Sequence, residues 1–135
     1  MNCKENDILL DVKNLRIGFR QGGTIARAVE DTSFFIRRGE LLALVGESGS
    51  GKSVTAMSLL GLLPEVSAVI SNGTAMFDGH DLLKMSRKEL SDIRGNRISM
   101  IFQEPMTALN PVLTIGWQIG EVLRRHRGLD KEETH

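Results

Sequence analysis

Between an unbroken apolar run and an amphipathic stretch lies Gly46-Glu47-Ser48-Gly49-Ser50-Gly51-Lys52-Ser53, the pattern G-x-x-x-x-G-K-[ST]. Leu41-Leu42-Ala43-Leu44-Val45, just before it, is apolar at every position. Such a run predicts a strand buried on both faces, as in a parallel sheet covered by helices. After the glycines, Ala56, Leu59, Leu60 and Leu63 recur at helical spacing, which predicts a helix over 53–63 stopped by Pro64. Strand, glycine loop and helix form the setting in which this pattern cradles phosphate. Glycines let successive N–H groups turn inward round an anion, and the positive end of the helix points at the same place. Lys52 is then spaced to reach the β- and γ-phosphates, and the Ser53 hydroxyl to ligate Mg²⁺. Glycine makes up only ~7% of ordinary chains, so a chance match in a chain this short is rare.

The residues before the loop read as β-structure. Ile8–Val12, Leu15–Phe19 and Ala28–Ile36 alternate or cluster apolar side chains, with Gln21-Gly22-Gly23-Thr24 as a turn. They predict a three-stranded antiparallel meander. Downstream, Thr74–Phe77 predicts a strand closed by an Asp78-Gly79 turn, the commonest reason for that pair. Ser86-Arg87-Lys88-Glu89 is a capping box for a short helix to about Ile93. Ile98–Phe102 is a second β-rich run, followed by a loop from Gln103 to Pro111. Ile115, Ile119, Val122 and Leu123 then predict a helix that ends in Arg124-Arg125-His126-Arg127 and Gly128, ordinary helix-end chemistry. Asp130-Lys131-Glu132-Glu133 announces a further helix, yet the chain stops two residues later, which predicts a truncated sequence.

Composition excludes several classes. Lys plus Arg and Asp plus Glu are 17 each, so no field of one sign steers the chain to nucleic acid. A single cysteine, Cys3, excludes an intrachain disulfide and a cysteine zinc site, and fits a reducing compartment. No apolar run approaches the ~18–20 residues that span a bilayer. His80, His126 and His135 have no metal-site spacing.

The phosphate loop alone leaves kinases, GTPases and transport ATPases open. A glutamine after a core strand, Gln103, can meet the metal or a water at the γ-phosphate. Together, residues 45–63 and 98–121 resemble the ATP-binding subunit of ABC transporters, most closely the bacterial dipeptide/oligopeptide (and nickel) import family. Gly-Glu-Ser-Gly-Ser-Gly-Lys-Ser-Val at 46–54 resembles that family's phosphate loop, Phe-Gln-Glu-Pro-Met-Thr-Ala-Leu-Asn-Pro at 102–111 its Q-loop, and Leu9–Leu15 its opening. The resemblance covers essentially the whole chain but only about the first half of the family's domain.

The resemblance implies an α/β P-loop NTPase core of the ABC ATPase type with an antiparallel β subdomain. It places a mainly β part at about 1–40, the core with inserted β elements at 41–104, and the start of the helical subdomain at 105–135. It implies ATP and Mg²⁺ as cofactors. Gly46, Glu47, Ser48, Gly49, Ser50, Gly51, Lys52, Ser53 and Val54 would wrap the phosphates. Ser53 and Gln103 would hold Mg²⁺, and Gln103 would also sit near the attacking water. Phe19 is the nearest aromatic for stacking on adenine, because the chain has no Tyr. Val54 stands where many relatives carry a hydroxyl, so its phosphate contact is a backbone one. Residues Pro105–Gly120 would receive transmembrane permease subunits, and a second ATP-binding subunit would close the site. The location implied is the cytoplasmic face of the bacterial inner membrane.

These 135 residues contain no Leu-Ser-Gly-Gly-Gln signature, no apolar strand ending in Asp-Glu and no placeable switch histidine. Most of phosphoryl-transfer catalysis is positioning and charge stabilisation. The chain by itself is therefore expected to bind ATP without efficient hydrolysis. In the family, the Asp-Glu strand lies beside the one expected at Leu41–Val45, whose open edge would invite aggregation. A non-functional truncated remnant of such a subunit is the alternative. A kinase or GTPase fragment is a further one, but no guanine-reading Asn-Lys-x-Asp is present.

Overall fold

The computed structural model describes residues 7–103, 109–130 and 134. The chain forms two compact units, Met1–Arg87 and Lys88–His135. The first is built on a four-stranded antiparallel sheet in the order β2-β1-β3-β4. Its strands are β1 (Ile8–Gln21), β2 (Thr24–Arg37), β3 (Ala68–Phe77) and β4 (His80–Asp81). Two tight turns make the hairpins. Gly22 and Gly23 have φ of 54° and 86°, and Asp78 and Gly79 have φ of 48° and 85°. Left-handed φ at both central residues is the turn geometry whose twist matches paired strands.

The expected meander is corrected in one respect: its first two strands are one. In β1 the buried side chains are Leu10 and Val12 before Asn14, and Leu15 and Ile17 after it. The parity of the buried positions changes from even to odd. A bulge causes this: Asn14 takes φ 50°, and the pairing with both neighbours shifts between Val12 and Ile17. One extra residue lets both halves of the strand face the same core. Asp31 on β2 (φ 48°) and Gly73 on β3 (φ 114°) lie at the matching irregularities. Only glycine fits at 73, where a Cβ would stand 2.7 Å from the Leu15 Cα and 3.0 Å from the Lys13 carbonyl oxygen. The Asn14 N–H donates to Ser33 Oγ at 2.8 Å, and Arg16 grips Asp31 with two bonds of 2.7 Å. That pair holds the Arg16 pKa up and the Asp31 pKa down, chiefly through the hydrogen bonding itself.

The core of this unit comprises Leu10, Val12, Leu15, Ile17, Val29, Leu60, Ala75, Phe77 and Leu82. Leu60 is the C-cap of helix α1 (Lys52–Leu59), and Leu82 opens a 3₁₀ turn over Leu82–Lys84. The helix is shorter than expected, and the expected face is buried only in part, at Leu60 with Leu59 half-buried. Thr55 and Ser58 are buried while Ala56 is exposed. The Ser58 hydroxyl is satisfied internally, donating to the Thr55 carbonyl at 2.7 Å.

The expected strand at Leu41–Val45 does not form. The run is irregular, with Leu41 90% and Val45 89% exposed. A strand exists only where a neighbouring edge takes up its N–H and C=O groups, and none of the described strands pairs with this run. The same reason applies to Ile98–Phe102, where a lone bridge from Ile98 to Arg94 is all that forms and Ile101 is 94% exposed.

In the second unit, helix α2 (Arg87–Ile93) starts where the capping box places it, at the junction of the units. Helix α3 (Ile115–Arg127) ends where expected. Thr114 caps it through a 3.2 Å bond from the Trp117 N–H, and Gly128 closes it at φ 65°. Arg125 ties it to α2, donating to Ser91 Oγ at 2.6 Å beside Asp92. The helix signature at Asp130–Glu133 runs into residues 131–133, outside the described residues. No helix among the described residues is long and apolar enough to cross a membrane.

Candidate nucleotide site

The loop Gly46–Ser53 leads into the N-terminus of α1, and β2 fixes where that helix starts. Gly51, at φ 86°, is buried against β2: a Cβ there would stand 2.4 Å from the Ala28 carbonyl oxygen and 2.9 Å from Val29 Cγ2. Gly49 is also left-handed, at φ 82°, but has open space around it. Two left-handed glycines so close together curl the backbone, and the Glu47 carbonyl accepts from the Ser50 N–H at 3.2 Å to close the turn. Gly46 faces the inside of the curl, since a Cβ at that position would meet Ser50 Oγ at 2.6 Å and Lys52 Nζ at 3.9 Å.

Lys52 occupies the concavity. Its ammonium donates to the carbonyls of Gly46 (2.8 Å) and Glu47 (2.6 Å) and to Ser50 Oγ (3.1 Å). No side chain caps the N-terminus of α1, where Gly51 is the N-cap residue. An uncapped helix start, a curled glycine backbone and a cation inside the curl are together what a polyphosphate requires. The residues present therefore fit an anionic nucleotide. Glu47, Ser48, Ser50 and Ser53 are exposed, so the loop opens to solvent.

Structure thus brings together eight of the residues singled out in the sequence. Val54 follows on α1 and offers only its backbone. Phe19 lies half-buried near the end of β1, paired with Ala26 and Ala68. Gln103 belongs to the second unit, in a bend where it is exposed. Glu104 to Ala108 lie outside the described residues.

Two structural features were not foreseen. The first is the Ala28 carbonyl as the wall behind Gly51; a β-strand backbone atom carries no sequence signal. The second is a side-chain clamp in the second unit. Gln118 Oε1 accepts from the Asn110 N–H at 2.9 Å, and its Nε2 donates to the carbonyls of Asn110 (3.1 Å) and Leu113 (3.0 Å).

Comparison with known proteins gives concordant findings. The sequence profile of the ABC transporter family matches residues 29–134. The chain is 51% identical over 124 residues to the dipeptide transport ATP-binding protein DppD of Bacillus subtilis, covering 92% of the chain and 37% of DppD. It is 49% identical over 124 residues to the oligopeptide transport ATP-binding protein OppD of Haemophilus influenzae, covering 92% of the chain and 38% of OppD. Among solved structures, the dimeric post-hydrolysis state of the ATP-binding cassette MJ0796, bound to ADP and Pi, superposes with a TM-score of 0.77. The identity there is 27%, over 93% of this chain and 52% of that one. The chain therefore spans well under half the length of those two curated relatives, and about half of the solved cassette.

Proposed function

The chain belongs to the ABC transporter family, and from that premise we propose that Gly46–Ser53 binds the polyphosphate of Mg-ATP within the energy-coupling component of an importer for peptides or a related small solute. The observation that carries this reading is Lys52 held inside the curl by two backbone carbonyls. In that place an incoming phosphate oxygen replaces Gly46 and Glu47 as the partner of the ammonium. The exchange trades neutral acceptors for an anionic one, and charge-assisted bonds are roughly twice as strong. The backbone N–H groups of Glu47 to Val54 surround the same anion, and the α1 dipole adds to their field.

Ser53 Oγ is the group on the loop that would hold Mg²⁺; for Gln103 that role rests on the sequence resemblance alone. The metal, when bound, supplies positive charge to the phosphate oxygens. Phe19 offers an aromatic face for the base. Residues Pro105–Gly120 are the surface proposed for transmembrane subunits, and a second ATP-binding subunit is proposed to face the loop. The place of action is then the cytoplasmic face of a bacterial inner membrane. The substrate class rests on the names of DppD and OppD and on the sequence resemblance.

These 135 residues alone bind ATP without turning it over, because the carboxylates that position metal and water in the family are not among them. Equilibrium dialysis with labelled ATP, with and without Mg²⁺, tests the binding, and phosphate release tests the turnover. Saturable Mg-dependent binding without steady release is expected. Steady release that disappears in Lys52→Ala would overturn the second statement, and no binding at all would overturn the first.

A further inference from the structure

Asn72-Gly73 is the one Asn-Gly pair in the chain, and it lies where the pairing of β3 with β1 shifts register. Arg16 is the register partner of Asn72 and Lys13 that of Thr74, so Gly73 alone faces Asn14 and Leu15. Its φ of 114°, and the 2.7 Å that would separate a Cβ from the Leu15 Cα, admit only glycine. The bulge thus demands a glycine directly after an asparagine. Asn72 is exposed, and among the described residues no strand covers the outer edge of β3 before Met76. That combination has a chemical consequence. The side-chain amide of an asparagine lies one five-membered ring away from the N–H of the next residue. A glycine at that next position presents no Cβ to hinder the approach.

We propose that Asn72 is a site of spontaneous covalent modification, in which the Gly73 nitrogen attacks Asn72 Cγ and closes a succinimide. A bond forms between that nitrogen and Cγ, the Cγ–Nδ2 bond breaks, and Nδ2 leaves as ammonia with the Gly73 amide proton. Water then opens the ring at either carbonyl, giving aspartate or isoaspartate. Nothing is oxidised or reduced, and water is the only co-reactant. Both products add a negative charge at position 72. Opposed residues on antiparallel strands have Cβ atoms about 4.5–5.5 Å apart. The new charge therefore falls within reach of Arg16, which Asp31 already holds from β2. The two products differ in their backbone. Aspartate leaves it unchanged, whereas isoaspartate routes the chain through the former side chain and adds a methylene. That methylene enters directly before Gly73, where the backbone is packed against Leu15.

Other asparagines supply controls within the same chain. Asn110 precedes Pro111, whose nitrogen carries no hydrogen, so it cannot close this ring. Asn14 and Asn96 precede Leu15 and Arg97, whose side chains crowd the attack. The experiment incubates the purified chain in mildly alkaline heavy-oxygen water and follows the label by peptide mass spectrometry. Methylation by a protein-isoaspartate methyltransferase measures the isoaspartate formed. Asn72 should take up label roughly tenfold faster than Asn96 or more, a glycine having no side chain to raise the barrier. Asn72→Gln would need a six-membered ring, so it should lose the label at that position. Freshly prepared Asn72→Asp carries the product charge without the extra methylene and is the folding control. The isoaspartate fraction, resolved by chromatography, should melt roughly 4 °C or more below Asn72→Asp, the shift expected for one lost backbone hydrogen bond in a domain of this size.

Label at Asn72 that accumulates no faster than at Asn96 would overturn the site, and so would methylation undiminished in Asn72→Gln. An isoaspartate fraction that melts together with Asn72→Asp would overturn the backbone consequence. Nucleotide enters none of these readouts, so the site stands or falls apart from the phosphate loop.

Discussion

Gly51→Ala separates steric demand from mere backbone preference in the phosphate loop. At φ 86°, an alanine carries the left-handed penalty of about 1–2 kcal/mol. Its Cβ would also stand 2.4 Å from the Ala28 carbonyl oxygen. Cβ atoms essentially never come closer than 3.0 Å to another heavy atom, so loop and strand must part by roughly 0.6 Å or more. The Ala28 backbone cannot yield cheaply, because β2 is paired to β1 on both sides of it, at Arg27 with Gly18 and Val29 with Ile17. Overpacking of this kind costs about 1–3 kcal/mol, for a total of about 2–5 kcal/mol. At roughly 4 °C per kcal/mol for a domain of this size, Tm should fall by about 8–20 °C. Gly49→Ala has the same sign of φ and nothing within 4 Å, so it should cost only the backbone penalty. In ATP titrations, loss of even one charge-assisted bond from the displaced loop weakens binding about 10–100-fold. Thermal melts without nucleotide and calorimetric titrations with it measure both effects. If the two variants melt within about 0.5 kcal/mol of each other, the contact between Gly51 and β2 does not set the loop, and the reasoning fails.

Three other expectations follow from particular side chains. Gly73→Ala should destabilise the sheet by about 2–4 kcal/mol in urea melts, since its Cβ would press on the Leu15 backbone at 2.7 Å. Asp81 accepts from the N–H groups of Ala75 (3.1 Å) and Leu83 (3.2 Å), with Lys84 Nζ 3.2 Å away. Burial works against its charge, but Ala75, Lys84 and Leu83 outweigh it and hold its pKa below the ordinary carboxylate value. Its folded pKa lies below the unfolded one, so its contribution is full above about pH 4 and is lost as pH falls through the folded value. Asp81→Asn should therefore flatten the acid limb of stability against pH, and an unchanged limb would refute the assignment. Leu41→Glu with Val45→Glu should reduce self-association in light scattering without lowering Tm, because both side chains are about nine-tenths exposed; a large loss of Tm would show that the run is buried in solution.

What could be read from the sequence was local. The phosphate loop depends on glycines and a lysine at fixed spacing, and the spacing is in the sequence itself. The Gly22-Gly23 and Asp78-Gly79 turns, and the Gly128 end of α3, are equally short-range. The misreadings share a different cause, namely partners remote in sequence. Whether Leu41–Val45 becomes a strand depends on an edge to pair with, which its own composition does not encode. The buried side of α1 keeps Leu60 of the apolar stripe but leaves Ala56 out and takes in Thr55 and Ser58, because Gly51 docks the helix start on the Ala28 carbonyl. The change of parity in β1 hides two half-strands in one, because alternation breaks at Asn14 just as it would at a turn. Gln118 was invisible for the plainest reason: a glutamine reaching a backbone eight residues away follows no periodicity.

The cradle is tested most directly by the backbone amides that form it. In ¹H–¹⁵N spectra of the chain titrated with Mg-ATP, the amides of Gly46 to Val54 should shift first and most, with one saturating curve, and Lys52→Ala should abolish the shifts. Spectra in which those amides stay still at saturating Mg-ATP, or in which Lys52→Ala shifts as the unaltered chain does, would contradict the account.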